Sequence, residues 1–220
     1  MTSPDHDHEL GPSRAVALDA LRRLERFRPA DPGQATLAQE YVAFLRDGAE
    51  GAERGEVARV DAVRRDGGPQ HLTASCFVLS PDLSRVLLCY HRKGQFWVQV
   101  GGHVEPTDTT LAGAAYREAR EESGLADLQA FETDGDRRTL AAPVDVHRHD
   151  LAAAFGACRT HWDVGFVAFA DPAARTAVSD ESEDVAWFGV DALPTGTPPG
   201  FPERLATVLT EVRHRRRATT

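Results

Sequence analysis

Residues 101–125 read GGHVEPTDTTLAGAAYREAREESGL. The spacing predicts a helix over about Thr110–Ser123, with Asp108 or Thr109 able to cap its start and Gly124 able to take the left-handed conformation at its end. Glu118, Glu121 and Glu122 stand at i, i+3 and i+4, so they project from one side of that helix. Like charges at this spacing repel, by ~0.2–0.5 kcal/mol a pair. At about 100° per residue, Leu111, Ala114, Ala115 and Leu125 fall on the same side. A solvated run of charge would take a wholly polar face instead, so something must compensate these acids. A hard divalent cation with oxygen ligands is the natural candidate, and Mg²⁺ bridging to phosphates is its common use. Gly101 and Gly102 let the backbone turn tightly and approach a ligand closely, and Glu105 and Asp108 add two more carboxylates.

Upstream of this stretch, His71–Ser80 (HLTASCFVLS) and Arg85–His91 (RVLLCYH) have strand character, separated by the turn-forming Ser80–Ser84. A third short strand, Trp97–Val100, leads into the glycine pair. Downstream, Leu140–His149, His161–Ala170 and Val185–Val190 are strand candidates, and a final helix is expected over Pro202–Arg213. Strands mixed with few helices predict an α/β sandwich with a mixed β-sheet, placed here at residues 67–220. Residues 1–12 are polar and are expected to form a disordered tail, with Asp5-His6-Asp7-His8 solvated. Residues 13–66 are read as an N-terminal helical extension and linker. One helix over 13–28 carries Leu18, Leu21, Leu24 and Phe27 and stops at Pro29; a second, Gln34–Arg46, buries Leu37, Tyr41, Phe44 and Leu45. The glycine-rich linker after Gly48 is expected to hold a short strand at Val57–Val63. Packing is the default role for this helical hairpin, with lid or homodimer contacts as the other use.

Composition narrows the function. Of 220 residues, 41% are hydrophobic, enough for a core, and the formal net charge is −9. That balance argues against a nucleic-acid polymer as partner and leaves a small phosphorylated substrate, whose charge a bound metal can offset. No apolar run approaches the roughly 18–20 residues of a membrane helix. The acidic start MTSPDHDHEL lacks the features of a signal peptide, and three cysteines (Cys76, Cys89, Cys158) fit reduced thiols, so a cytoplasmic protein is expected.

The stretch resembles the signature of the Nudix hydrolases: G, five residues, E, seven residues, R-E-U, one residue, E-E, one residue, G-U, with U aliphatic. Here Gly102 is followed by five residues and Asp108, then by eight residues and Arg117-Glu118-Ala119-Arg120-Glu121-Glu122-Ser123-Gly124-Leu125. Asp108 thus replaces Glu, and one extra residue precedes Arg117, which leaves the role of Asp108 open. HLTAS, HRKGQFWVQVGGHVE and SDESEDVAWFGVDALP also resemble members of this family. The resemblance implies a Nudix-type α/β/α sandwich and hydrolysis of a pyrophosphate in a nucleoside diphosphate linked to another moiety, such as an NTP, nucleotide sugar, ADP-ribose or dinucleotide. It implies Mg²⁺, with Mn²⁺ as a substitute, held by Glu118, Glu121, Glu122 and the backbone of Gly102. Arg117 would pair with a signature carboxylate and order the loop. The base is left among Glu121, Glu122 and Glu181.

On the substrate side, Arg92 and Lys93 follow a strand and can hold phosphate, a solvated turn being the alternative. Glu105 is expected to orient ligand or metal. Glu181 lies in the acidic SDESED run, where a late acid acts in some members of the family. Two rival readings share the fold. A prenyl-diphosphate isomerase would want a cysteine near Gly101 or Gly102, and none is there; a non-catalytic nucleotide sensor would not need the three helical acids, which are present. His147, His149, Cys158 and His161 are the soft metal ligands considered together. Their spacing matches no standard zinc pattern, and ordinary hydrogen bonding on strands accounts for them. The basic run Arg213–Arg217 reads as a frayed helix end.

Overall fold

The computed structural model describes residues 4–47, 58–131, 142–151, 157–179 and 182–218. The elements run α1 (Pro4–Arg26), α2 (Pro32–Arg46), β1 (Gln70–Leu79), β2 (Arg85–His91), β3 (Phe96–Val98), β4 (Val100–His103), α3 (Leu111–Ser123), β5 (Gln129–Ala130), β6 (Asp145–Asp150), β7 (Thr160–Phe169), β8 (Ser182–Gly189) and α4 (Phe201–Ala218). All eight strands form one mixed sheet. β1 and β7 run parallel along their full lengths, and every other pairing is antiparallel.

The sheet is covered on both faces. Leu72, Ala74, Cys76 and Val78 of β1 share a buried cluster with α1, α2 and the apolar side of α3. Alternate residues Phe77 and Leu79 point the other way, against Phe201, Leu205, Val208, Leu209 and Val212 of α4. This is the expected α/β/α sandwich.

The expected N-terminal helices are present, and they belong to the main core. Val16, Ala20, Leu24, Tyr41 and Leu45 pack in the same cluster as β1 and β7. Tyr41 is fully buried and its hydroxyl donates to the Asp163 carbonyl at 2.9 Å. The Gln34 side chain bonds both backbone groups of Val146, accepting from its N–H at 2.8 Å and donating to its carbonyl at 3.2 Å. In this way α2 covers the otherwise open edge of β6.

Several boundaries differ from expectation. α1 extends back to Pro4, so polar residues expected to form a tail continue the helix. The linker residues Val60–Val63 form a 3₁₀ turn rather than a strand, with Ala62 and Val63 buried. The turn satisfies its backbone locally, the Ala62 N–H donating to the Arg59 carbonyl at 3.3 Å and the Arg64 N–H to the Asp61 carbonyl at 3.2 Å. Gly101 and Gly102, read as loop, are strand residues of β4 paired with Ser75 and Ala74. The start of the expected Leu140–His149 strand lies outside the described residues, as do Val57 and Glu181.

Candidate active site

Local chemistry builds α3 as the sequence requires. Thr110, rather than Asp108 or Thr109, is the N-cap, accepting from the Gly113 N–H at 3.0 Å; Gly124 closes the helix at φ 69°. Asp108 instead accepts from the Glu105 N–H at 2.8 Å and folds the preceding loop. A second support comes from outside the signature. The buried Leu111 N–H donates to Asp19 Oδ2 of α1 at 2.9 Å, and Arg23 holds the same oxygen at 2.7 Å.

The three helical acids do not share one environment. Glu122 is buried, at 4% exposure, and the side chain of Glu118 is 12% exposed, whereas that of Glu121 is 54% exposed. Glu122 and Glu118 follow Leu111 and Ala115 along the inward stripe; Glu121 sits at its rim. Glu122 Oε2 accepts from the Gly101 N–H at 2.7 Å, and its Oε1 lies 3.4 Å from the Ser182 hydroxyl and 3.9 Å from the Cys89 thiol. Burial, followed by the charge of Glu122, pushes the Cys89 thiol well above its ordinary pKa, so it stays protonated.

Arg117 ties the acids together. Its Nε and Nη2 reach the two carboxylate oxygens of Asp108 at 3.2 and 2.9 Å. Nη1 donates to Glu118 at 3.1 Å and to Glu121 at 2.8 Å, and Nη2 also donates to the His103 carbonyl at 3.0 Å. Burial disfavours its charge, but Asp108, Glu118 and Glu121 outweigh that and raise its pKa further. Asp108, left open by the signature, is therefore the fork partner of Arg117.

Backbone and acids also fit closely. A β-carbon at Gly102 would stand 2.6 Å from Glu118 Oε1. Gly101, at φ 155°, would set one 2.5 Å from the Ser75 backbone. Only glycine allows β4 to press against both β1 and the carboxylates.

The NUDIX domain family model matches residues 69–211. The chain belongs to the Nudix family. It is a Nudix hydrolase family enzyme, and the family typically uses divalent metals. A search of curated proteins returned no match. Among solved structures, a NUDIX-family hydrolase from Clostridium perfringens is similar at 20% identity and TM-score 0.49, covering 66% of this chain and 97% of that one. The Ap4A hydrolase of C. elegans is similar at 15% identity and TM-score 0.49, covering 65% and 98%. The E. coli dihydroneopterin triphosphate pyrophosphohydrolase is similar at 18% identity and TM-score 0.48, covering 65% and 95%. Among the described residues of this Nudix enzyme, no helix is long and apolar enough to cross a membrane.

Other expected site residues lie around the Nudix helix with less contact. Arg92 and Lys93 are exposed on the turn after β2, and Arg92 donates to the Ser182 carbonyl at 3.1 Å. Glu105 is largely exposed, with its carboxylate 3.8 Å from Arg117. Ser182, Cys89 and Asp19 were not singled out by sequence reading as site residues. Nothing in their local sequence marks them, because their roles come from β8, β2 and α1 arriving beside α3.

The opposite face of the sheet carries a second polar group. His71, Thr73 and Ser75 of β1, His103 of β4, Asp145, His147 and His149 of β6, and His161 and Asp163 of β7 lie in adjacent cross-strand rows. Asp163 accepts from Thr73 at 3.0 Å and Ser75 at 2.6 Å, and Arg204 of α4 bridges Asp163 and Asp145, each at 2.7 Å. Burial raises the pKa of Asp145; Asp163 is buried too, but Arg204 and Ser75 draw its pKa below the usual carboxylate value.

Proposed function

We propose that this Nudix enzyme hydrolyses a pyrophosphate bond in a nucleoside diphosphate joined to a second group, with Mg²⁺ as working cation and Mn²⁺ as substitute. Nucleoside triphosphates, nucleotide sugars, ADP-ribose and dinucleotides make up that substrate class. The observation that carries the reading is the packing of Glu118 and Glu122 against the Gly101-Gly102 backbone, with Arg117 holding the loop.

The residues fit such a cation. Glu118, Glu121, Glu122 and the Gly102 carbonyl offer only oxygen donors, the set a hard divalent ion takes. These four would hold it. Bound there, it would offset phosphate charge and lower the pKa of a water molecule. The chain's own groups do the rest. The Gly101 N–H and Ser182 hydroxyl fix Glu122, so its carboxylate cannot swing away. Glu121 faces solvent and is our candidate to take the proton from the attacking water. Arg117 holds Glu118 and Asp108 in place. Arg92 and Lys93 supply positive charge for the substrate phosphates, Glu105 orients the loop side, and Glu181 is the late acid to test beside them.

We take residues 67–220 as the hydrolase domain and 13–66 as its helical extension. A small-molecule diphosphate, rather than a nucleic-acid polymer, suits the net charge of −9. Three free, buried cysteines agree with a reducing cytoplasm.

The test is to incubate the purified chain with Mg²⁺ and a panel of nucleoside diphosphate derivatives and to identify products. The expected result is cleavage of at least one compound to two phosphorylated fragments. No turnover anywhere on the panel, with Mg²⁺ or Mn²⁺, would overturn the reading.

A further inference from the structure

One histidine cluster on the α4 side of the sheet has no part in the chemistry above. His71, His103, Cys158 and His161 each offer a ligand atom, and these four atoms lie within 4.8 Å of one another. They come from four separate places: the start of β1, the end of β4, the segment just before β7, and β7 itself. Register explains three of them. His71 is the parallel partner of His161, and His103 stands opposite Thr73, one row along. The three rings are mutually 5.1 Å apart between centroids. Cys158, buried, closes the group with its sulfur 3.8 Å from His71 Nε2.

The nitrogen atoms have the pattern of a ligand set. His71 Nδ1 lies 3.3 Å from the Gly68 carbonyl, which fixes that nitrogen as the donor and leaves Nε2 with its lone pair facing Cys158. His103 Nε2 and His161 Nε2 are buried and have no hydrogen-bond partner among the described residues. Buried nitrogens without partners are costly, and these two belong to rings whose ligand atoms meet a third imidazole and a thiol within 4.8 Å, where one ion would serve them all.

The geometry points to a structural zinc site made of His71, His103, His161 and Cys158. Three imidazoles and one thiolate are ligands that zinc takes and magnesium does not. Zinc bonds of about 2.0–2.3 Å in a tetrahedron place ligand atoms roughly 3.3–3.7 Å apart, so the cluster contracts by small side-chain movements to receive the ion. Four protein ligands leave no open position, so the ion braces rather than reacts. His103 directly follows Gly102. The clamp therefore ties the end of β4, where the carboxylate loop begins, to β1 and β7. The inference does not depend on the proposed hydrolysis.

Two readouts test it without an activity assay. The first is metal content of the full-length protein purified without added zinc; one tightly held zinc per chain is expected. The second replaces zinc with Co²⁺. Intense tetrahedral visible absorption and a thiolate-to-cobalt charge-transfer band are expected. Cys158→Ser should remove that band, whereas Cys89→Ser, which alters the thiol near Glu122, should keep it. A wild-type protein that binds no zinc and gives a pale octahedral cobalt spectrum overturns the site. So does a charge-transfer band that follows Cys89 instead of Cys158.

Discussion

The Gly101 N–H donates to Glu122 Oε2 at 2.7 Å, which links the last strand residues before the signature loop to the innermost acid of α3. That contact separates two kinds of acid. Glu122 is built into the wall of the site, and Glu121 stands at its edge. Replacing Glu122 by Gln keeps an acceptor for Gly101 and removes the negative charge. The expected outcome for Glu122→Gln and for Glu121→Gln is a fall in turnover of about 100-fold or more with the fold intact. Both acids would hold the cation, so both variants should raise the magnesium concentration needed; Glu121→Gln, which also removes the candidate base, should keep a lowered kcat at saturating metal. Near-wild-type rates in both variants, measured by steady-state kinetics with a circular dichroism control, would defeat the assignment.

Arg117 forks onto both oxygens of Asp108 while its other nitrogen serves Glu118 and Glu121. A lysine is a point charge and cannot make that fork. Arg117→Lys should therefore lower stability by about 1.5–3 kcal/mol, the range for hydrogen bonds to charged groups, and reduce activity as the loop loosens. Asp108→Asn should give a smaller loss, since one oxygen still accepts. Denaturant unfolding of the two variants side by side checks the order.

Legibility in the sequence followed the range of the forces involved. The α3 helix, its glycine stop and the inward lean of Glu118 and Glu122 could be read because they depend on neighbours within a turn. The β1, β2 and β7 strands were legible because their apolar runs are long. The pairing of His71 with His161 was not, because it depends on the register between strands 90 residues apart, and one residue of slip would face the rings oppositely. His147 and His149 stand near Cys158 and His161 in the sequence, yet His71 and His103 complete the cluster in space. The two N-terminal helices were legible from their apolar spacing, though α1 begins nine residues earlier than expected, at Pro4; the polar link from α1 to the start of α3 was not, because it is made by Asp19, whose local pattern is ordinary.

Asp19 makes the role of that extension measurable. It accepts the buried Leu111 N–H in the first turn of the helix bearing the acids, and it pairs with Arg23. Asp19→Ala leaves the amide without a partner and should cost about 0.5–2 kcal/mol, the range for a lost helix cap. Hydrogen exchange at the Leu111 amide should quicken in the variant. Unchanged protection there would show that α1 does not hold the start of α3.

Part of the acid sensitivity should come from β6. Burial depresses His147 to about 4, with Arg204 adding to the effect and Asp163 opposing it; burial likewise lowers His149. In the unfolded chain these rings take up protons near their ordinary pKa of ~6.5. Between that value and about 4 the unfolded state binds more protons than the folded one, so stability falls as pH falls through this window. Above it the contribution is fully present. The facing groups are Asp163 and His161 on β7, Asp145 and Asp150 on β6 and Arg204 on α4, all retained in a His147→Gln variant. That variant, unfolded thermally in the presence of a zinc chelator, should lose part of the slope between pH 6.5 and 4 while keeping its stability at pH 8. A wild-type melting temperature that holds level across the window, or a slope unaltered in His147→Gln, would mean that these rings accept protons without leaving the sheet.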